Sequence, residues 1–276
     1  MKNLLLLFLC SLSCSFIFGQ NPVKKISETE FSIGKTITIE STILGEQRQL
    51  NIYLPPYYRE DSLKSYPVIY LLDGSKDEDF IHISGIVQFG SFSWINMIPE
   101  SIVVGIGNVD RKKDFTFPSQ SKRDRKEFPT TGGAENFISF IEKELQPFIN
   151  STYFVSTEKT IVGQSLGGLL ATEILFKKPD LFDNYVIVSP SLWWDNENLL
   201  KENPVTYTSE KSIFIAVGKE GKVMERTARE LHAKLEKSQQ ANTNLHFEYF
   251  PERIHGDILH QAAYNAFETI FKPEKK

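Results

Sequence analysis

Two kinds of apolar patterning divide this chain. In residues 31–39 and 49–54 apolar and polar side chains alternate (Ile37 and Ile39, then Leu50, Ile52 and Leu54), and Pro55 and Pro56 stop the second run. Period-2 alternation predicts strands with one solvated face, here an antiparallel pair. From residue 68 onward the pattern changes to short, nearly continuous apolar runs at 68–72, 102–106, 160–162, 185–188 and 213–217. A strand covered on both faces has no wet side, so these runs predict buried strands of a parallel sheet. Residues 245–250 supply a last strand.

Segments with helical spacing lie between the runs. Phe137, Phe140, Ile141, Leu145 and Phe148 share one face of a helix starting near Gly133, and Leu169, Leu170, Ile174 and Leu175 share another after Gly168. Met224, Ala228, Leu231 and Leu235 form a third stripe; Leu259, Ala263, Ala266, Phe267 and Ile270 form a fourth. Each stripe neighbours a buried strand that it could cover, which makes it a core face. Parallel strands need such crossovers. The repeated strand–helix alternation predicts an α/β fold, with a mostly parallel central sheet of about eight strands and helices on both faces. No repeat or low-complexity linker interrupts residues 20–276, which read as a single domain.

Residues 1–19 stand apart. Lys2 precedes an apolar run over residues 4–18, and small Gly19 precedes Gln20. The run is short for a membrane span, and its charged start, apolar middle and small-residue end predict a secretory signal peptide cleaved before Gln20. Ser11 stands where a lipoprotein signal normally has Leu, which argues against lipid at Cys14. The mature protein is then secreted or periplasmic, without a membrane span. Both cysteines, Cys10 and Cys14, lie in this leader, so the mature chain has no thiol for a disulfide, a nucleophile or a thiolate metal site. Net charge is a mild −4 with scattered Lys and Arg. The one basic cluster, residues 122–126, is broken by Asp124 and reads as a solvated loop rather than a nucleic-acid patch.

The candidate chemistry sits at Gly163-Gln164-Ser165-Leu166-Gly167-Gly168. A G-x-S-x-G match alone is weak, arising by chance in roughly one chain of this length in ten. Its context adds weight: a buried strand ends at Gly163 and a helical stripe begins at Leu166, the strand–turn–helix setting of a nucleophile elbow. Gly163 and Gly167 remove β-carbons that would collide across a strained turn. The same turn places Ser165 at a helix N-terminus, where the Leu166 N–H is an expected oxyanion donor.

A serine hydroxyl needs a general base within reach. Of the five histidines, His255 lies in the loop between the last strand and the final helix and is the preferred base. His232 and His260 read as helix-surface residues, His246 as a strand residue, and His82 as a polar position near a helix start. An acid to orient the base should follow the strand 213–217. Glu220 is the nearest candidate, with Glu225 and Asp195 as alternatives and a Ser–His dyad also open. Asp195 would equally suit a helix N-cap. The second oxyanion donor should come from the loop after strand 68–72, where Gly74 allows a tight turn that aims the Ser75 N–H into the site. Asp73 suits a structural role, accepting turn N–H groups.

These residues, with Leu71-Leu72-Asp73-Gly74, Val104-Gly105-Ile106 followed by Arg111 and Asp114, Ser189-Pro190-Ser191-Leu192-Trp193-Trp194-Asp195 and His255-Gly256, occur in an order that closely resembles an esterase family of α/β hydrolases. The family includes enterochelin and trilactone siderophore esterases, esterase D and the mycolyltransferase-like antigen 85 proteins, and the likeness runs over residues 31–271. The resemblance implies the α/β-hydrolase fold and hydrolysis of a small-molecule ester through an acyl-enzyme, without metal or organic cofactor. It implies Ser165 as nucleophile, His255 as base, and the Leu166 and Ser75 amides as oxyanion donors. One departure stands out: relatives often carry Glu at the third position after the glycine ending strand 7, where this chain has Gly221, and Glu220 is one place off. In siderophore esterases similar to this chain, basic residues near the cleft contact anionic or catecholate groups. Arg111 is therefore a candidate for substrate binding, although pairing with Asp114 to brace its loop is the preferred role. An acyltransferase with the same Ser–His pair and a non-catalytic binding protein on the same fold are the rival readings. Siderophore lactones, short acyl esters, acetylated sugars and feruloyl-type esters are all open as substrates.

Overall fold

The computed structural model describes residues 23–59, 63–238 and 242–272. The expected leader, residues 1–19, and its cleavage site before Gln20 lie outside the described residues. Residues 23–32 belong to a separate N-terminal unit, without regular secondary structure and with a Lys25–Glu28 ion pair.

Residues 33–276 form the second unit, built on one eight-stranded sheet. Its strands are β1 (Lys35–Ser41), β2 (Glu46–Tyr53), β3 (Tyr66–Leu71), β4 (Ile102–Ile106), β5 (Val155–Gln164), β6 (Asn184–Val188), β7 (Lys211–Gly218) and β8 (Thr243–Phe250). They lie in the order β1-β2-β4-β3-β5-β6-β7-β8. β2 pairs antiparallel with both β1 and β4; β4, β3, β5, β6, β7 and β8 pair in parallel. This is the α/β-hydrolase sheet. The first strand starts four residues later than the alternation predicted, at Lys35, and Phe31 is 95% exposed.

Helices α1 (Phe80–Gly90) and α9 (Leu259–Phe271) cover one face. On the other lie α4 (Ala134–Phe140), α6 (Leu166–Lys177) and α8 (Lys222–Lys237). Short helices α2 (Arg111–Asp114), α3 (Lys122–Glu127) and α7 (Trp194–Lys201) sit in the connections, and α5 (Gln146–Thr152) continues α4 through a π-helical turn at Ile141–Leu145. The buried strands alternate between the two layers. In β3, Val68, Tyr70 and Leu72 after it pack with Phe137 and Leu169, whereas Ile69 and Leu71 pack with Ile83 and Ala262. In β7, Ile213, Ile215 and Val217 face the first layer, Phe214 and Ala216 the second. Continuous apolar runs are the sequence form of this two-sided burial.

Two expectations about local structure change. The basic cluster at 122–126 is not an open loop but helix α3: Ser121 Oγ accepts the Asp124 N–H at 3.3 Å, and Asp124 itself is buried, accepting from Ser119 Oγ (2.8 Å) and the Asp195 N–H (2.9 Å). Asp195 does not cap a helix. It begins a left-handed turn through Asn196 and Glu197 (φ 49°, 53° and 63°), and its carboxylate accepts from the Gln120 N–H (2.7 Å) and Ser119 Oγ (3.1 Å). A left-handed turn of non-glycine residues is unfavourable by roughly 1–2 kcal/mol per residue, so these bonds hold it in place.

Candidate active site

The elbow at the end of β5 is strained as its motif requires. Ser165 adopts φ 60°, ψ −119° between β5 and the first turn of α6. Its backbone is held from both sides, by Ser165 N–H to Val188 O (3.1 Å) and Ser191 N–H to Ser165 O (3.0 Å). A β-carbon on Gly163 would lie 2.4 Å from Gly167 O, so only glycine fits there. The expectation for Gly167 shifts by one residue. A β-carbon on Gly167 would meet Leu72 at an ordinary 3.4 Å, whereas on Gly168 it would lie 3.0 Å from Pro190 Cα and Val188 O. As first residue of α6, Leu166 carries one of the N–H groups that the helix itself cannot satisfy.

Beyond the parallel end of the sheet, His255 and Glu220 meet. His255 Nδ1 lies 2.5 Å from Glu220 Oε2. The other carboxylate oxygen accepts from Ser189 Oγ (2.5 Å) and the Gly218 N–H (2.9 Å). The Glu220 side chain is 2% exposed, the imidazole 46%. Burial alone would push the Glu220 carboxyl up, but hydrogen bonds from His255, Ser189 and Gly218 outweigh it and hold the group below the usual carboxylate range. An ionised carboxylate can only accept, so Nδ1 is the donor and Nε2 is left with a free lone pair in the neutral imidazole. Gln164 Nε2 donates to the His255 carbonyl, tying the histidine loop to the residue before Ser165.

The alternative acids go elsewhere. Glu225 accepts the N–H groups of Glu220 (3.1 Å) and Gly221 (3.0 Å), so it fixes the turn that carries Glu220. Asp195 is engaged with the 119–120 segment, as described above. His82 and His260 pair ring to ring, 5.0 Å apart, where α1 meets α9, and His232 packs on Phe247 of β8, the strand that also holds His246.

Ser165 and His255 both line two adjoining cavities. One, of about 520 Å³, is walled by Ser191, Trp193, Lys219, Glu220, Met224 and Ile254. The other, of about 400 Å³, is walled by Asp73, Glu78, Asp79, Arg111 and Gln164. The Ser165 hydroxyl has its hydrogen-bond contact with Ser191 Oγ, at 3.3 Å. Among the described residues no group of three or more His, Cys, Asp or Glu is placed to hold a metal ion.

Arg111 is a brace, but not with Asp114. Its guanidinium grips both oxygens of Asp73 (2.6 and 2.8 Å) and reaches Gln164 O at 3.4 Å, so it links the loop after β3 to the elbow. Asp114 instead pairs at 2.5 Å with buried Arg48. Asp73, at φ 55°, accepts from the side chains of Arg111 and Asn108 (2.7 Å) rather than from turn N–H groups. Gly74 is pressed against β4, where a β-carbon would lie 2.3 Å from Gly105 Cα, and its N–H donates to Ile106 O at 3.0 Å. This contact sets where the Gly74–Ser75 peptide lies.

Sequence reasoning passed over Ser189, Gln164 and Asp79. Their only signals were proximity to the Ser-Pro-Ser stretch, to the elbow and to the start of α1, and none has a periodicity that marks it. No helix among the described residues is long and apolar enough to cross a membrane.

Comparison with known proteins agrees with this geometry. The sequence profile of the family described as "Putative esterase" matches residues 41–270. Ferri-bacillibactin esterase BesA of Bacillus subtilis is 31% identical over 253 residues, spanning 83% of this chain and 87% of BesA. The crystal structure of an IroE-like serine hydrolase from Shewanella oneidensis superposes with a TM-score of 0.77 at 32% identity, covering 87% of this chain and 80% of that one. The BES protein from Bacillus cereus gives 0.79 at 29% identity, covering 92% and 100%. A profile match across nearly the whole folded unit, with the elbow and the His255–Glu220 pair on one sheet edge, means that the chain belongs to the "Putative esterase" family, carboxylic ester hydrolases of the α/β-hydrolase fold.

Proposed function

We propose that Ser165, His255 and Glu220 form the catalytic triad and that the protein hydrolyses its ester through an acyl-enzyme. The observation that carries this reading is the 2.5 Å contact between His255 Nδ1 and a buried, ionised Glu220, with Ser165 at a strained turn lining the same cleft. Glu220 holds the Nδ1–H tautomer, so Nε2 is the atom that accepts a proton. In the first step His255 Nε2 takes the Ser165 proton as Oγ attacks the carbonyl carbon. The Leu166 and Ser75 N–H groups stabilise the oxyanion, each worth roughly 10²–10³ in rate. The imidazolium then protonates the leaving alcohol, and in the second step the imidazole activates water that releases the acid and frees Ser165. The Ser191 contact of the resting hydroxyl is given up when the imidazole swings in, as catalytic bonds often tighten only with substrate bound.

For the substrate we favour a siderophore ester of the trilactone kind. The 31% identity to a ferri-bacillibactin esterase supports it. So does the larger cavity, where Trp193 offers a ring face and Lys219 a cation for an aromatic acyl group bearing anionic oxygens. Arg111, committed to Asp73, contributes to binding mainly by holding its wall. We take the protein to be secreted or periplasmic after removal of the leader, where such a substrate would reach it.

The test is a Ser165→Ala variant assayed with a p-nitrophenyl acyl ester and with a ferric trilactone siderophore. Turnover of both should fall to background with the thermal transition unchanged. Near-wild-type turnover by the variant would remove Ser165 from the chemistry. Rapid hydrolysis of the p-nitrophenyl ester alone by the wild type would keep the mechanism and discard the siderophore.

A further inference from the structure

Asn51 is a polar residue on the face of β2 that the alternation predicts to be solvated, yet the fold buries it. It lies between Leu50 and Ile52, 4% exposed, opposite Gly105 of β4. Its Oδ1 accepts from Thr36 Oγ1 of β1 at 2.7 Å, and its Nδ2 donates to Gly74 O at 2.8 Å. A buried amide in a sheet interior needs such partners, yet an apolar residue would have needed none.

The bond to Gly74 O has a geometric consequence. Gly74 O and the Ser75 N–H belong to one planar trans peptide, in which carbonyl and N–H point in opposite directions. Fixing one fixes the other. Close approach to Gly105 demands glycine at position 74, and glycine leaves the peptide after it free to rotate because no side chain restricts its ψ. The N–H of Gly74 is held by Ile106 O, and Asn51 supplies the hydrogen bond to the carbonyl on its other side.

We propose that Asn51 is a positioning residue for the oxyanion site: through Gly74 O it locks the Ser75 N–H in the direction of the developing charge, and Thr36 locks the Asn51 amide. The inference rests on the reading of Ser75 as an oxyanion donor. Asn51 touches neither substrate nor Ser165, and its effect is confined to the step in which negative charge forms.

Asn51→Ala should lower kcat about ten- to hundredfold, less than the roughly 10²–10³ for outright loss of an oxyanion donor because the Ser75 N–H is misdirected rather than removed, with KM within about twofold, since ground-state binding does not use that N–H. Inhibition by phenylboronic acid, whose Ser165 adduct is tetrahedral and anionic, should weaken by the same factor. Thr36→Val, a milder change at an exposed position, should lower kcat severalfold in the same pattern. A folded Asn51→Ala enzyme with wild-type kcat, or with unchanged boronate affinity, would overturn the proposal. If Asn51→Ala does not fold, wild-type kcat in Thr36→Val does so instead. Loss of the triad reading itself would show separately, as turnover surviving in Ser165→Ala.

Discussion

Ser165 and Glu220 both follow a parallel strand at the same edge of the sheet, yet different forces hold them. At the elbow the constraint is excluded volume: β5 is sandwiched between β3 and β6, and the Gly163 and Gly167 backbones are so close that no β-carbon fits between them. At Glu220 the constraint is a set of polar clamps. Ser189 and Gly218 hold one carboxylate oxygen, His255 holds the other, and Glu225 holds the backbone of the turn. Steric exclusion admits one residue type and so writes itself into the sequence. A hydrogen-bond clamp can be met by several residue types from distant positions, and leaves little trace.

The comparison breaks first at its steric side. Gly163→Ala puts a methyl group 2.4 Å from Gly167 O and 3.1 Å from Gly168 N, both backbone atoms that cannot swing aside. The variant should lose on the order of 3 kcal/mol of stability. Any folded fraction should turn over ester at the background rate, because the elbow must open. Chemical denaturation and single-turnover assay would measure both; a stable, active Ala variant would show that the turn is softer than its packing implies.

The polar side breaks more selectively. In Glu220→Gln the oxygen facing Ser189 and Gly218 is still wanted by two donors, so the new NH₂ group is forced toward His255. There it donates to Nδ1, drives the proton to Nε2 and leaves the imidazole unable to accept from Ser165. The expected fall in kcat is roughly 10³–10⁴-fold, as for a triad locked in the wrong tautomer, with KM little changed and the fold intact. Glu220→Ala, which frees the ring to reorient, should be no worse than Gln. A Gln variant within tenfold of wild type would remove Glu220 from the mechanism.

The same contrast explains what could be read in advance. The sheet was legible because burial on both faces leaves continuous apolar runs, and β3, β4, β5, β6 and β7 lie where those runs predicted. The elbow was legible through its glycines and the strand–helix context. Helix α1 was legible only as a helix start near His82, without a stripe or an end, because Phe80, Ile83 and Val87 are its only three buried apolar residues, with Ser84 and Gly90 completing the face. The partner of Arg111 was misjudged because sequence proximity favoured Asp114, three residues away, whereas the fold brings Asp73 from 38 residues earlier. Sequence spacing could name Glu220 as nearest to the end of β7 but could not show Ser189, whose left-handed backbone (φ 44°) and hydrogen bond to Ala216 O (2.7 Å) bring its hydroxyl to the carboxylate.

The smallest effect sharpens the point about clamps, because a second carboxyl in the same cleft is pushed the other way. Asp79 precedes α1 without making a side-chain cap bond, and its carboxyl is raised to about 6, by burial first and then by the charges of Asp73 and Glu78, against the pull of Arg111. A carboxyl whose folded pKa exceeds its unfolded value near 3.9 binds protons more tightly in the folded state. It therefore adds nothing adverse below about pH 4, destabilises increasingly as pH rises through about 6, and exerts its full cost above. Glu220, held down, has the opposite sign: its stabilisation is present at neutral pH and is lost as acid protonates it. Asp79→Asn keeps the shape, removes the charge and loses no cap bond. It should raise stability at pH 8 by about 1 kcal/mol after allowing for solvent screening, and by nothing at pH 4, which thermal melts at the two pH values would resolve. An equal gain at both would mean that the charge of Asp79 is not what its surroundings resist.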